Sequence, residues 1–136
     1  MAKKKYGWVF TEQKTMGNPT PSEKQEVETF FQPLIERFKE QFIKENPPTQ
    51  FDYITDIYPK WYRSYFYLCA KYKSEHPNRR QDEHEEKFAR LTFIKQGVFD
   101  IAYFRHTGKW FPIGETLSLE ECQEAILSDP NLHPLG

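Results

Sequence analysis

The chain has 136 residues, a formal charge of −1, 38% hydrophobic residues and 17% aromatic ones. That length suits one domain with a real core, and the aromatic content argues against intrinsic disorder, whose chains lack the rings a core needs. No apolar run nears the ~18 residues of a membrane span, and the opening M-A-K-K-K-Y-G has no apolar stretch after its lysines. A cytoplasmic protein with no membrane partner is therefore expected.

Residues 1–18 read as an N-terminal arm and residues 19–136 as a single α+β domain. In the arm, Tyr6, Trp8 and Phe10 alternate with Gly7 and Val9 as a short strand would. Such an arm can pair with a sheet edge in its own subunit or a neighbour's, so a homodimer through it is one expectation. Thr20-Pro21-Ser22-Glu23 then fits a capping box, with Thr20 as N-cap, Pro21 in the first helical position and Glu23 in the third. Val27, Phe30, Phe31, Leu34, Ile35, Phe38, Phe42 and Ile43 follow at three- and four-residue steps, the stripe of a core-facing helix. Pro33 is expected to kink or split that helix near residues 31–32, and Asn46-Pro47-Pro48 ends it.

A first strand is expected over 51–58, with a turn or bulge at Pro59. The ring-dense stretch 58–72, Y-P-K-W-Y-R-S-Y-F-Y-L-C-A-K-Y, favours a long strand, because flat rings pack well on a pleated surface. Alternation sends Tyr62, Phe66, Leu68, Ala70 and Tyr72 to the core, and Trp61, Arg63, Tyr65, Tyr67, Cys69 and Lys71 to the opposite face. Residues 73–87 contain no large apolar side chain and read as a solvated loop. Strands follow over 88–95, 98–105 and 109–113, separated by turns at Gln96-Gly97 and His106-Thr107-Gly108. Ser118-Leu119-Glu120-Glu121 is a second capping box, Leu119, Cys122, Ile126 and Leu127 are the apolar side of its helix, and Ser128-Asp129-Pro130 stops it. The expected fold is α+β: an antiparallel β-meander of about four or five strands, with an N-terminal and a C-terminal helix packed on one face.

F-A-R-L-T-F at 88–93, F-D-I-A-Y-F-R-H-T-G-K-W at 99–110 and an acidic helix ending in L-S-D-P at 127–130 occur in that order. This arrangement resembles a family of small bacterial proteins described only as a domain of unknown function, most strongly over residues 53–130. The resemblance implies a helix–meander–helix protein. It carries no activity, cofactor or catalytic residue.

Charge is uneven along the chain. Residues 59–110 hold 11 basic and 6 acidic groups, whereas residues 111–136 hold five acids and no Lys or Arg. The glycines are isolated, so no phosphate-binding Gly-rich loop exists, and the G-x-S-x-G and H-E-x-x-H patterns are absent. Cys69 and Cys122 read as small buried hydrophobes without the electropositive setting that activates a thiol. His76, Asp82, His84, Glu85 and Glu86 share one loop and suit Zn or Fe chemically, which keeps a metal-dependent enzyme as an alternative. Their spacing matches no known site, and no metal ligand, cofactor or catalytic residue is assigned. His106 reads as a turn residue beside Arg105, able to pair with an acid or a phosphate. The residue pattern with most functional content is the mixture of rings and cations on the sheet: Arg63, Tyr65, Tyr67, Arg90, Arg105, His106, Lys109 and Trp110. Stacking rings and guanidinium groups are what single-stranded nucleic acid sites use, so a module binding nucleic acid or nucleotide is the first expectation. A protein-interaction or self-associating module is the second. The bland alternative is a half-exposed sheet whose Arg stems cover rings, with Glu120, Glu121 or Glu124 nearby.

Overall fold

The computed structural model describes residues 16–75, 77, 82–104 and 108–134, and the element order is helix, five strands, helix. Helix α1 spans Pro21–Phe42 and opens on the expected capping box: the Glu23 N–H donates to Thr20 Oγ1 at 3.1 Å and the Thr20 N–H to Glu23 Oε1 at 2.9 Å. Two amides that an α-helix leaves unpaired at its start are thus satisfied. The helix runs through Pro33 as one element, so the expected split does not occur. Pro33 lies on the exposed side, where water can take the carbonyl that its missing N–H would have bonded. The buried stripe is Val27, Phe31, Leu34, Ile35 and Phe38, each contributing about 1.5–3 kcal/mol through burial.

Strands β1 (Tyr53–Tyr62), β2 (Tyr65–Lys73), β3 (Glu83–Lys95), β4 (Val98–Phe104) and β5 (Trp110–Leu117) pair in chain order as an antiparallel meander. Helix α2 (Leu119–Ser128) starts on the second capping box, Ser118 with Glu121, and a short 3-10 turn, Pro130–Leu132, follows it. Both helices cover the same face of the sheet. Phe31 stacks on Phe66 at 5.6 Å between ring centroids, and Cys122 and Ile126 of α2 join one core with Leu68, Leu91, Phe99 and Ile101. His133 packs against Phe38 at 5.1 Å and bonds the Ile126 carbonyl through Nε2 at 2.6 Å. It closes the C-terminal end of α2, which has no basic residue in its last turn.

The sheet departs from the sequence reading in four places. The first strand does not turn at Pro59 but continues to Tyr62; β1 is an edge strand, so Pro59 can leave its absent N–H on the unpaired side. The chain reverses instead at Arg63 and Ser64, with Arg63 at φ 54, and Tyr62 pairs with Tyr65 across that turn. Across a two-residue turn the paired residues share a face, which inverts the simple alternation. Tyr62 therefore joins Tyr65 on the face away from the helices and is 55% exposed. Trp61 turns to the core side, 5.1 Å from the Phe66 ring. Residues 83–87, expected in a loop, are strand, and β5 runs four residues beyond the expected 113 to Leu117. The described residues of the expected arm enter the sheet end: the Gly17 N–H donates to the Phe93 carbonyl at 3.1 Å, and Ser64 Oγ donates to the Gly17 carbonyl. A Cβ at Gly17 would collide with the Ile94 carbonyl and the Phe93 ring, so this close passage requires glycine. Residues 1–15 lie outside the described residues. Among those described, no helix is long and apolar enough to cross a membrane.

Candidate functional site

The sheet face turned away from both helices carries the rings and cations together. Pairing registers place Tyr62, Tyr65 and Thr92 in one row across β1–β3, and Lys60, Tyr67, Arg90, Ala102 and Pro112 in the next, across all five strands. Tyr65 and Tyr67 alternate onto the same side of β2, as the sequence predicts, with ring centroids 6.0 Å apart. Trp110 on β5 lies 5.7 Å from Tyr67 and 5.2 Å from Phe104. To reach Arg90 and Tyr67 its indole must cross β4. The residue opposite Arg90 on β4 is Ala102, whose methyl group leaves the room. The result is a continuous ladder of rings over four strands, from Tyr65 through Tyr67 and Trp110 to Phe104.

Arg90 is set into this ladder. Its guanidinium carbon lies 4.7 Å from the Tyr65 ring centroid and 4.9 Å from that of Trp110, within cation–π range of both. Among the described residues none is ion-paired with it, and its Nε is buried without an acceptor. Burial lifts the nearby Tyr67 hydroxyl above its ordinary value, while the Arg90 charge pulls the other way. A second cation, Lys87, sits 5.3 Å over the Tyr67 ring. Both ends of the ladder are open. Phe104 is 47% exposed at one end. Beyond Tyr65 at the other lies exposed Tyr62, with the Arg63 guanidinium over its ring at 5.2 Å.

Beside the ladder is a charged cluster that sequence reading missed. Glu85 on β3 accepts the Tyr58 hydroxyl at 2.8 Å and Lys60 Nζ at 3.1 and 3.3 Å, and Lys87 Nζ lies at 4.0 Å. Burial raises the Glu85 carboxyl, but the bonds from Tyr58 and Lys60 and the charges of Lys60 and Lys87 outweigh it, holding the group below its ordinary value. Burial, followed by the bond to Glu85, pushes the Tyr58 hydroxyl well above the tyrosine range. Beneath them Cys69 is fully buried, and burial pushes its thiol up to about 12. Cys122, also fully buried, is raised further still by burial. In both cases burial disfavours the thiolate form.

Of the eight sequence-predicted site residues, Tyr65, Tyr67, Arg90 and Trp110 come together. Arg63 does not share their strand face; it belongs to the turn, with its guanidinium over the Tyr62 ring. Lys109 is exposed just before β5. Arg105 and His106 lie outside the described residues, as does His76. Strand alternation also divides the suspected metal group. His84 stacks on Tyr72 at 5.1 Å and bonds Glu86 at 3.0 Å on one face, while Glu85 points to the other. Among the described residues no three His, Cys, Asp or Glu side chains converge as a metal site would require. Lys60, Lys87, Tyr62 and Phe104 complete the face. A signal for part of it was present: K-x-K at 71–73 faces E-x-E at 83–85, with Lys71 opposite Glu85 and Lys73 opposite Glu83.

The chain belongs to a family described as Domain of unknown function (DUF3024), whose pattern matches residues 24–133. No curated protein and no solved structure matches it. The matched span begins in α1 and contains every residue of the ring ladder and the Glu85 cluster.

Proposed function

We propose that the protein is a binding module that takes single-stranded nucleic acid on the ring-and-cation face of its sheet. The observation that carries this reading is Arg90: a permanent cation within cation–π range of both Tyr65 and Trp110, with no carboxylate paired to it among the described residues. Arg90 is half-buried, and a charge partly withdrawn from water is ordinarily offset by a nearby acid. Here the helices and their acids are on the opposite face, so Glu120, Glu121 and Glu124 offer no such neutralisation. Exposed Tyr62 and Phe104 supply flat surfaces for bases at the two ends, and base–ring stacking contributes about 1–3 kcal/mol per base. Arg90 and Lys87 lie between them, where a backbone phosphate passes.

The test is titration of the full chain with a labelled 12-nucleotide oligothymidylate across a salt series. The expected result is an affinity that falls linearly with salt on logarithmic axes. Arg90→Met should weaken binding about 10- to 100-fold, the range of one charge-assisted hydrogen bond, while the melting temperature reports whether the fold persists. Absence of binding at low salt overturns the reading. A second reading, a protein or self-association interface, draws on the same Tyr, Trp and Arg side chains, which dominate interface energetics. It predicts association that is insensitive to salt, and for the N-terminal-arm homodimer a mass that rises with concentration only when residues 1–18 are present.

A further inference from the structure

Glu85 makes more contacts with donors than a surface carboxylate needs. Its partners come from two strands, β1 supplying Tyr58 and Lys60 and β3 supplying Lys87, and all three point at one place on the open face. The distances, 2.8, 3.1 and 4.0 Å, describe one hydroxyl and two ammonium groups arranged around a pair of oxygens. A phosphate offers the same acceptor chemistry with more charge. The place also adjoins the ladder, since Lys87 lies over the Tyr67 ring. Lys60 and Lys87 have side chains 51% and 40% exposed, so both can be reached from solvent. Glu85 has somewhere else to go: Lys71 is directly opposite it on β2.

We infer that Tyr58, Lys60 and Lys87 form an oxyanion subsite at the margin of the ring face, and that Glu85 is its resident anion, displaced when a phosphate-class ligand binds. This rests on the nucleic-acid reading of the face and adds to it a residue that weakens binding by design. Glu85 keeps two cations engaged until a ligand with higher charge competes for them. It therefore discriminates against single carboxylates and small monoanions, and favours phosphodiester or pyrophosphate groups.

The experiment compares wild type, Glu85→Gln and Glu85→Gln/Lys60→Met by calorimetry, with inorganic pyrophosphate and with 12-nucleotide oligothymidylate as probes. Glutamine is nearly isosteric and can still accept the Tyr58 hydroxyl, so the fold is expected to survive, and a melting curve checks it. E85Q should bind pyrophosphate about tenfold more tightly than wild type, and adding K60M should abolish that gain. With the oligonucleotide at low salt, E85Q should bind about tenfold more tightly than wild type, because no resident carboxylate has to be displaced. Independently of E85Q, Lys60→Met in the wild-type background should make the salt dependence shallower by about 0.7 in slope. Pyrophosphate binding in E85Q that equals or falls below wild type overturns the subsite, as does a gain that survives K60M. A pyrophosphate gain with no oligonucleotide binding by any variant leaves the subsite standing and sinks the nucleic-acid reading. Oligonucleotide binding that E85Q and K60M both leave unchanged does the reverse.

Discussion

The two faces of the sheet hold rings at nearly the same spacing and use them differently. Under the helices Phe66 stacks on Phe31 at 5.6 Å; on the open face Tyr67 and Trp110 lie 5.7 Å apart. What differs is the company. Phe31 and Phe66 are fully buried among Leu68, Ala70 and Leu91, and no side-chain atom in that group needs a hydrogen bond. Tyr67 is 9% exposed yet lies between Arg90 and Lys87, with a hydroxyl at its tip. Burial alone would not separate the two sites. A ring among aliphatic side chains has spent its interactions on packing, whereas a ring among cations holds charge in place that a ligand can still engage. Chemical surroundings, more than exposure, distinguish the core face from the candidate binding face.

Truncating one ring on each face is the strongest way to break this contrast. Phe31→Ala leaves a cavity at the centre of the core and should cost about 3–5 kcal/mol, a large part of the ~5–15 kcal/mol that holds a domain together. Tyr65→Ala, half-buried on the open face, should cost clearly less in the same urea titration and should act on oligonucleotide affinity instead. Equal losses of stability would mean that the open face is a second core. A smaller effect is expected from Ala102→Leu. The added carbons fill the space through which Trp110 crosses β4, a cost of about 1–3 kcal/mol. The tryptophan emission should shift to longer wavelength as the indole is pushed into water, and an unshifted spectrum would show that Ala102 does not set the ring's path.

What the sequence makes legible follows from the range of each interaction. The capping boxes at Thr20 and Ser118 close within three residues, so their pattern is complete in a four-letter window, and both form as read. The stripe from Val27 to Phe38 is likewise local, and it survives Pro33 because the helix-breaking residue falls on the exposed side. The turn at Arg63 and Ser64 is local as well but carries no Gly or Asn to announce a positive φ. Missing it shifts one end of a strand by a face, which is why Trp61 and Tyr62 exchange places relative to expectation. Tyr65, Tyr67 and Arg90 were reachable from alternation within their strands. That Trp110 reaches Arg90 over Ala102 depends on the register of three strands, information that no single segment contains. The Glu85 cluster was hidden differently: a stretch without large apolar residues reads as loop, although its acids stand opposite lysines of β2 in the strand register.

The smallest expected effect concerns that cluster, and its sign separates a gripped carboxylate from a merely solvated one. The unfolded chain takes up the Glu85 proton near the ordinary 4.5, whereas the folded chain takes it up at lower pH because Tyr58, Lys60 and Lys87 favour the charged form. Between those two values the unfolded state binds more protons. The Glu85 contribution is therefore fully present above the ordinary value, falls as the pH drops through the interval, and is gone once the pH lies below the folded value. Tyr58 acts at the other end of the scale. Its hydroxyl is raised above the ordinary 10.0, so its contribution is present below that value and lost only in strong alkali. Urea midpoints measured from pH 7 down to pH 3 should decline less steeply for E85Q than for wild type, with the two curves converging at the acid end. Parallel curves would mean that Tyr58 and Lys60 do not hold the carboxylate in solution. Glu85 would then be one more surface charge, and the open face would lack the internal counter-ion that distinguishes it from a simple basic patch.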